Sequence, residues 1–273
     1  MQGKYYSTKV RPNIPPSSQH IGAYTIKDVL FGWTAVQIPR GSARLISATA
    51  IVRGKGDANG TANPFAMDLW FADDDRNTLA LSNAVTNAAN AGIPSRDIIG
   101  NVSLEVEGYT EFGDNNTIQC VTSGHNSIGD YGEAVAFGNS IDNLVITPKM
   151  TLDVNASPTV MGYSTFYMAG IAQGAFNFSS VIANTENLAA GHANSKVITT
   201  DGSCDPREQF AAGDTIAIGT SVGTPAADSI LGTLLTADSS TQITLEAVSA
   251  IELVDGDVLY TPNPIEIILA FEY

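Results

Sequence analysis

A few short stretches of this 273-residue chain hold side chains whose types and spacing could do chemistry. Gly219-Thr220-Ser221-Val222-Gly223 matches the Gly-x-Ser-x-Gly elbow that presents an esterase serine on a tight turn after a strand. In that fold the histidine base follows the serine, yet His20, His125 and His192 all precede it, so the match reads as a turn. Asp73-Asp74-Asp75-Arg76-Asn77 sets oxygens at positions one, three and five, as a calcium loop begins. Thr78 stands where that loop needs glycine and Ala84 where it needs its closing glutamate, so a solvated acidic turn is the better reading; a looser calcium site built with other loops is the alternative. The histidines have no partner at helical or Cys-x-x-Cys spacing, which argues against zinc. Gly54-Lys55-Gly56 lacks the strand-to-helix setting and the Lys-Ser/Thr of a phosphate loop. Trp33 and Trp70 could line a sugar-binding face, though a core role is the simpler assignment. No catalytic set emerges, and the expectation is a protein that is not an enzyme and carries no cofactor.

Charge is more informative. Residues 1–55 contain eight basic side chains (Lys4, Lys9, Arg11, Lys27, Arg40, Arg44, Arg53, Lys55) and one acid, Asp28, for a net +7. The whole chain carries −15, so the remaining 218 residues carry −22. A field this uneven acts on association and solubility rather than on fold. It reads either as a few solvated lysines on an acidic protein or as an N-terminal region that docks on an acidic partner surface, through Lys4, Lys9, Arg11, Lys27 and Arg40. Nucleic acid is a poor partner, because the basic residues are not interleaved with aromatics in one compact module and the acidic bulk repels phosphate.

The elements that must position these groups are strands. Charged residues make up only 15% of the chain, and short apolar runs alternate with Gly, Ser, Thr and Asn, the composition of an all-β protein with long loops. No apolar run reaches the 18 residues of a membrane helix, and the N-terminus lacks the apolar core of a signal peptide; the expectation is a soluble chain made in the cytosol, with no membrane contact. Cys120 and Cys204 fall in different predicted modules and are expected as free thiols.

Residues 1–22, with Pro12, Pro15 and Pro16, read as an extended arm rather than a sheet strand, with Tyr5, Tyr6, Ile14 and Ile21 to lay on a surface, that of its own domain being the simpler assignment. Strands are predicted from Ala23 onward: 23–26, 34–38, 43–53 with both faces apolar or small as in a central strand, and 66–72. A short helix is read over 79–92. Residues 102–112 alternate as one strand, with 117–121 as its hairpin partner across Gly113-Asp114-Asn115-Asn116. A short strand is possible at 134–137, and 144–154 is broken by Pro148. Tyr163–Ala172 is the organising buried strand, and the last strand, 265–273, is expected as its partner.

Between those two lies a segment with its own rhythm. KVITT, DTIAIGT, SILGTLLTA, TQITLEAV and DVLYT are five short strands, and Gly213-Asp214 and Gly256-Asp257 supply turn chemistry before two of them. The fold predicted is all-β, a jelly-roll-like β-sandwich with a second small, partly closed β-barrel-like module inserted before the last strand. Its divisions are an arm at 1–22, a sandwich at 23–183 plus 263–273, and the module at 184–262.

Residues 196–260, with FAAGDTIAIGT, a Ser-Ser-Thr turn before ITL and a closing Gly-Asp strand, resemble a small β-module of virion structural proteins from tailed bacteriophages. GSARLISATAIVRGKGDANG and FAMDLWFADDD are similar in style to head-surface proteins of such phages. The resemblance implies a capsid-associated structural role without catalytic residues. The expectation is therefore an accessory decoration or cement protein on the capsid exterior, made in the host cytoplasm. Its partners would be the major capsid protein of a phage head and further copies of itself. The alternative is a receptor- or glycan-binding fibre component.

Overall fold

The computed structural model describes residues 4–14, 19, 24–53, 65–73, 98–106, 109–112, 118–124, 145–146, 162–175, 183–184, 195–200, 205–219, 229–249, 251, 253 and 257–273. The protein is all-β. Its strands are β1 (Tyr5–Val10), β2 (Val29–Pro39), β3 (Ala43–Arg53), β4 (Met67–Ala72), β5 (Ile98–Leu104), β6 (Tyr109–Phe112), β7 (Ile118–Gly124) and β8 (Val145–Ile146). They continue as β9 (Tyr163–Ala172), β10 (Ala183–Asn184), β11 (Val197–Thr199), β12 (Thr215–Gly219), β13 (Ser229–Ser239), β14 (Gln242–Leu245), β15 (Val258–Tyr260) and β16 (Ile265–Glu272). One helical turn, α1 (Pro206–Gln209), is capped by the Asp205 side chain.

Period-two alternation decides which way each strand faces. In β16, Ile265, Ile267, Leu269 and Phe271 are fully buried while Glu266, Ile268, Ala270 and Glu272 face outward. The first sheet runs β1-β16-β3-β7-β6, with β8 against the start of β3, and the second runs β2-β9-β4-β5. Every pairing is antiparallel. The two sheets share one core that holds Leu45, Ala48, Ala50, Val52 and Leu269 from the first, and Phe31, Val36, Leu69, Met168 and Val102 from the second. Across the gap Phe71, Phe166 and Phe271 stack edge to face, with centroids 5.9 and 6.0 Å apart. This is a β-sandwich. The Phe31 ring fills the space beside Gly170, where a Cβ would lie 2.2 Å from its Cε1.

The third sheet runs β10-β15-β12-β13-β14-β11 and draws only on residues between 183 and 260. It has its own core of Ile198, Phe210, Ile216, Leu234, Ile243, Leu245 and Leu259. The long strand β13 pairs with β12 at one end and β14 at the other, and its register shifts against both. Such bulges bend and twist a strand, and Gly232 at φ 151 takes a conformation that favours glycine. All five predicted strands are present, in one open antiparallel sheet. The predicted Gly-Asp turn is present too: Gly213 has φ 88, and the Asp214 carboxylate accepts the Ala211 N–H at 2.7 Å. Since β16 belongs to the first sheet and the first core, the chain leaves the sandwich after β9 and returns to complete it. The return segment is gripped by residues near the N-terminus. The Ile14 N–H donates to the Pro262 carbonyl at 2.7 Å, Gln19 Nε2 to the Thr261 carbonyl at 2.9 Å, and Asn263 Nδ2 to the carbonyls of Arg11 and Pro12.

Some expectations are corrected. Residues 5–10 are not part of an arm but an edge strand, because YYSTKV alternates and precedes the first proline, and its partner β16 is more than 250 residues away in sequence. β9 and β16 are not ladder partners; β9 lies between β2 and β4, and meets β16 only across the core. The run 102–112 is two strands, since β5 joins the second sheet and β6 the first, though the predicted hairpin of β6 with β7 is present. The strand read at 34–38 is longer, a bulged strand at 29–39, and no strand is formed by 24–26. Before it, Tyr24 makes only a bridge, and a turn brings Lys27 to φ 72 with Asp28 accepting the Thr25 N–H. The helix read at 79–92 and the strand at 134–137 lie outside the described residues, as does most of 144–154.

Burying four large side chains of β16 contributes on the order of 6–12 kcal/mol, at roughly 1.5–3 each. That rivals the net stability of about 5–15 kcal/mol of a whole domain. Deleting residues 264–273 is therefore expected to abolish the cooperative thermal transition of the sandwich. Excising 185–262 and joining the ends with a short Gly-Ser linker is expected to preserve it. A truncated chain whose sandwich still melts cooperatively would contradict this role for β16.

Candidate docking surface

The five basic residues singled out from the sequence do not form one patch. β1 carries Lys4 before its first residue and Arg11 after its last, and β2 separates Lys27 from Arg40 in the same way. Lys9 and Arg11 meet on a carboxylate of their own chain. Lys9 Nζ lies 3.0 Å from Glu266 Oε1 and Arg11 Nε 2.8 Å from Glu266 Oε2, while Arg11 Nη1 lies 3.8 Å from Asp214 Oδ1 in the inserted module. At the far end of the same strand pair, Arg44 bonds Glu272. The backbone N–H of Lys27 is held by the Ala172 carbonyl and that of Arg40 by the Gly162 carbonyl, leaving both side chains exposed. Among the described residues Lys4, Lys27 and Arg40 make no ion pair.

Glu266 explains why Lys9 and Arg11 lie over their own sheet, although both side chains stay more than half exposed. Its side chain is only 15% exposed, on the outer face of β16 beside the edge strand. Burial alone pushes its carboxyl upward in pKa, but hydrogen bonds from Arg11 and Lys9 outweigh this and hold it below the ordinary glutamate value of 4.5. The basic side chains of the N-terminal strand thus offset a carboxylate that the last strand partly buries.

What remains exposed is an end of the sandwich where aromatic and basic residues meet, which the sequence did not single out. Register places Tyr5 opposite Glu272 and Glu272 opposite Arg44. Tyr6 packs edge-on against Tyr163 at 6.2 Å, and Tyr163 stands opposite Pro39, next to Arg40. Burial, with the neighbouring phenols of Tyr6 and Tyr163, pushes the Tyr273 hydroxyl up to about 12, and that hydroxyl is buried without a hydrogen-bond partner. Tyr5 itself is 70% exposed. Exposed tyrosine beside arginine is the composition of protein–protein contact centres, with lysine suited to their rim. Only Tyr5 and Tyr6 had a signal in the sequence. Tyr163 and Tyr273 join them because four strand ends coincide.

The outer face of the second sheet carries a small buried cluster of Val29, Ala169 and Ile171, with Trp33 and Trp70 half-buried against it. The tryptophans therefore cover an outer face instead of entering the main core. On the same face Asp68 accepts hydrogen bonds from Ser103 Oγ and Gln173 Nε2, both at 2.6 Å. Among the described residues no group of acids, histidines and cysteines could hold a metal. The three histidines, Cys204, and residues 54–56, 74–77 and 220–223 lie outside the described residues.

The Glu266 contacts have a pH signature. Because its folded pKa is depressed, their contribution is fully present above about pH 4.5 and is lost as pH falls through the lower folded value. Exposed pairs of this kind contribute about 0.2–1 kcal/mol each. The melting-temperature gap between wild type and Glu266→Gln is thus expected to be constant near neutral pH and to shrink on acidification below about 4.5. Comparison of the chain with protein-family models, with curated proteins and with solved structures finds no match.

Proposed function

We propose that this chain is an accessory structural protein of a virion, bound to the outside of a capsid that it decorates or cements. One observation carries the reading: the body has two unlike ends. Lys4, Tyr5 and Arg40 are exposed at one end, whereas the inserted module attaches at the other, through contacts of residues 11–19 with 214 and 261–263. Six residues of β1, roughly 20 Å at about 3.3 Å each, separate the two. Residues 184–262 hold eleven acidic side chains against two basic ones, so the distal module is strongly negative. A basic, tyrosine-rich end suits an acidic shell, and an acidic module facing solvent opposes self-adhesion of decorated particles. The partner in this reading is the major capsid protein of a phage head, and the site of action is the particle surface.

Binding to purified capsids lacking this protein tests the proposal. Lys4→Glu with Arg40→Glu is expected to weaken binding at least tenfold, and added salt to weaken it progressively, since charges are screened over roughly 8–10 Å at 0.1–0.15 M. Binding that ignores both salt and these substitutions would overturn docking through this end. Lys9→Ala and Arg11→Ala are expected to act on stability alone, because both side chains are spent on Glu266.

A second reading, a receptor- or glycan-binding fibre component, draws on Trp33 and Trp70 sharing one face with the polar Asp68–Ser103–Gln173 group. Indole faces beside hydrogen-bonding groups suit a sugar ring. A glycan-array signal abolished by Trp33→Ala, in a protein that binds no capsid, would favour it over decoration.

A further inference from the structure

The free side of β1 is an open template. The Tyr273 N–H donates to the Lys4 carbonyl at 2.9 Å, and Tyr6, Thr8 and Val10 stand opposite Phe271, Leu269 and Ile267. Antiparallel strands exchange hydrogen bonds at every second residue. Lys4, Tyr6, Thr8 and Val10 therefore turn their backbone groups toward β16, and Tyr5, Ser7 and Lys9 turn theirs away. Among the described residues no backbone group pairs with those three, and their side chains are all exposed. β1 also contacts β2, the edge strand of the second sheet, so both layers end along one flank. An edge left like this is a site for another strand.

We propose that a second copy of this chain occupies it, β1 pairing antiparallel with β1 about a two-fold axis at Ser7. The strand is self-complementary in that register. Ser7 meets Ser7 of the second copy, and Tyr5 meets Lys9 on each side, so all three outward positions of both strands are used. With two hydrogen bonds per pair, three pairs give six. An axis at Lys9 would set Lys9 against Lys9, and an axis at Tyr5 would set Lys9 beyond the start of the other strand. In the symmetric register each Tyr5 ring lies along the aliphatic stem of a lysine, a favourable aromatic–cation pairing. The lysine charge is already offset by Glu266 at 3.0 Å, so the two-fold does not oppose bare charges. The strand itself ends at Val10, so the ladder does not run on beyond it. The two five-strand paths become one continuous sheet of ten, closed by symmetry. The proposal does not rest on the virion reading, and it bears on it: the two-fold points the two basic ends opposite ways, so a dimer would present only one of them to a shell.

The full chain is tested by sedimentation over a wide concentration range and by cysteine crosslinking. Wild type is expected to pass reversibly from monomer to dimer. Ser7→Pro removes an N–H that β16 does not use, so it is expected to weaken dimerisation at least tenfold with little change in melting temperature. Thr8→Pro removes one that β16 does use, and is expected to destabilise the fold. In a Cys120→Ser, Cys204→Ser background, Ser7→Cys places its Cα about 5.5 Å from its mate, within disulfide reach, so it is expected to self-crosslink on oxidation. Tyr5→Cys and Lys9→Cys are expected to crosslink only when mixed. A monomer at every concentration, a dimer that survives Ser7→Pro, or Tyr5→Cys linking to itself would overturn the proposal.

Discussion

Strand β16 hydrogen-bonds on both sides, to β1 from Tyr5 to Val10 and to β3 from Arg44 to Val52, while its inward face fills the sandwich core. Phe271 reaches across that core to Phe166, tying the first sheet to the second. Without β16 the strand β1 has no ladder partner among the described residues, β3 loses a ladder partner, and the second sheet loses part of the surface it packs on. The constraint is also a kinetic one. Residues joined in this ladder are separated by up to some 267 positions, so a large loop must close before any of its contacts form.

That closure gives the inserted module a fixed seat. The segment leading back into β16 is held at residues 261–263 by Arg11, Pro12, Ile14 and Gln19, all from the N-terminal region. Arg11 adds a contact to Asp214 within the module itself. Each sheet system keeps a core of its own, and the hydrogen bonds between them gather where the chain passes from one to the other.

The same ladder redistributes charge. The N-terminal excess of basic residues looks in one dimension like a single cationic surface, but strand geometry divides it. Lys9 and Arg11 are used on Glu266, Arg44 on Glu272, and the exposed Lys27 and Arg40 stand beyond opposite ends of β2. Net charge counts side chains, whereas association depends on those left unpaired and adjacent. At the Tyr5 end a few basic side chains remain beside aromatic surface, and that end is richer in contact chemistry than the total of eight suggests.

Local patterns in the sequence determined local structure. Alternation in Gln242–Leu245 and in the last strand, the apolar and small residues on both faces of residues 43–53, and the Gly213-Asp214 turn each specify one element from its own side chains, because burial period and turn bonding act within a few residues. The distinct rhythm of 184–262 marked the second module for the same reason. Pairing is another matter. YYSTKV alternates, yet an isolated edge strand has no reason to form until β16 supplies its hydrogen bonds, so the prolines that follow it dominated the prediction. The apolar run of β9 shows that it is buried but not whether its neighbour lies beside it or across from it; only the register with β2 and β4 decided that. The meeting of the tyrosines at 5, 6, 163 and 273 and the split of the basic residues were likewise invisible in one dimension, since strand ends far apart in sequence come together only when the sheets have closed.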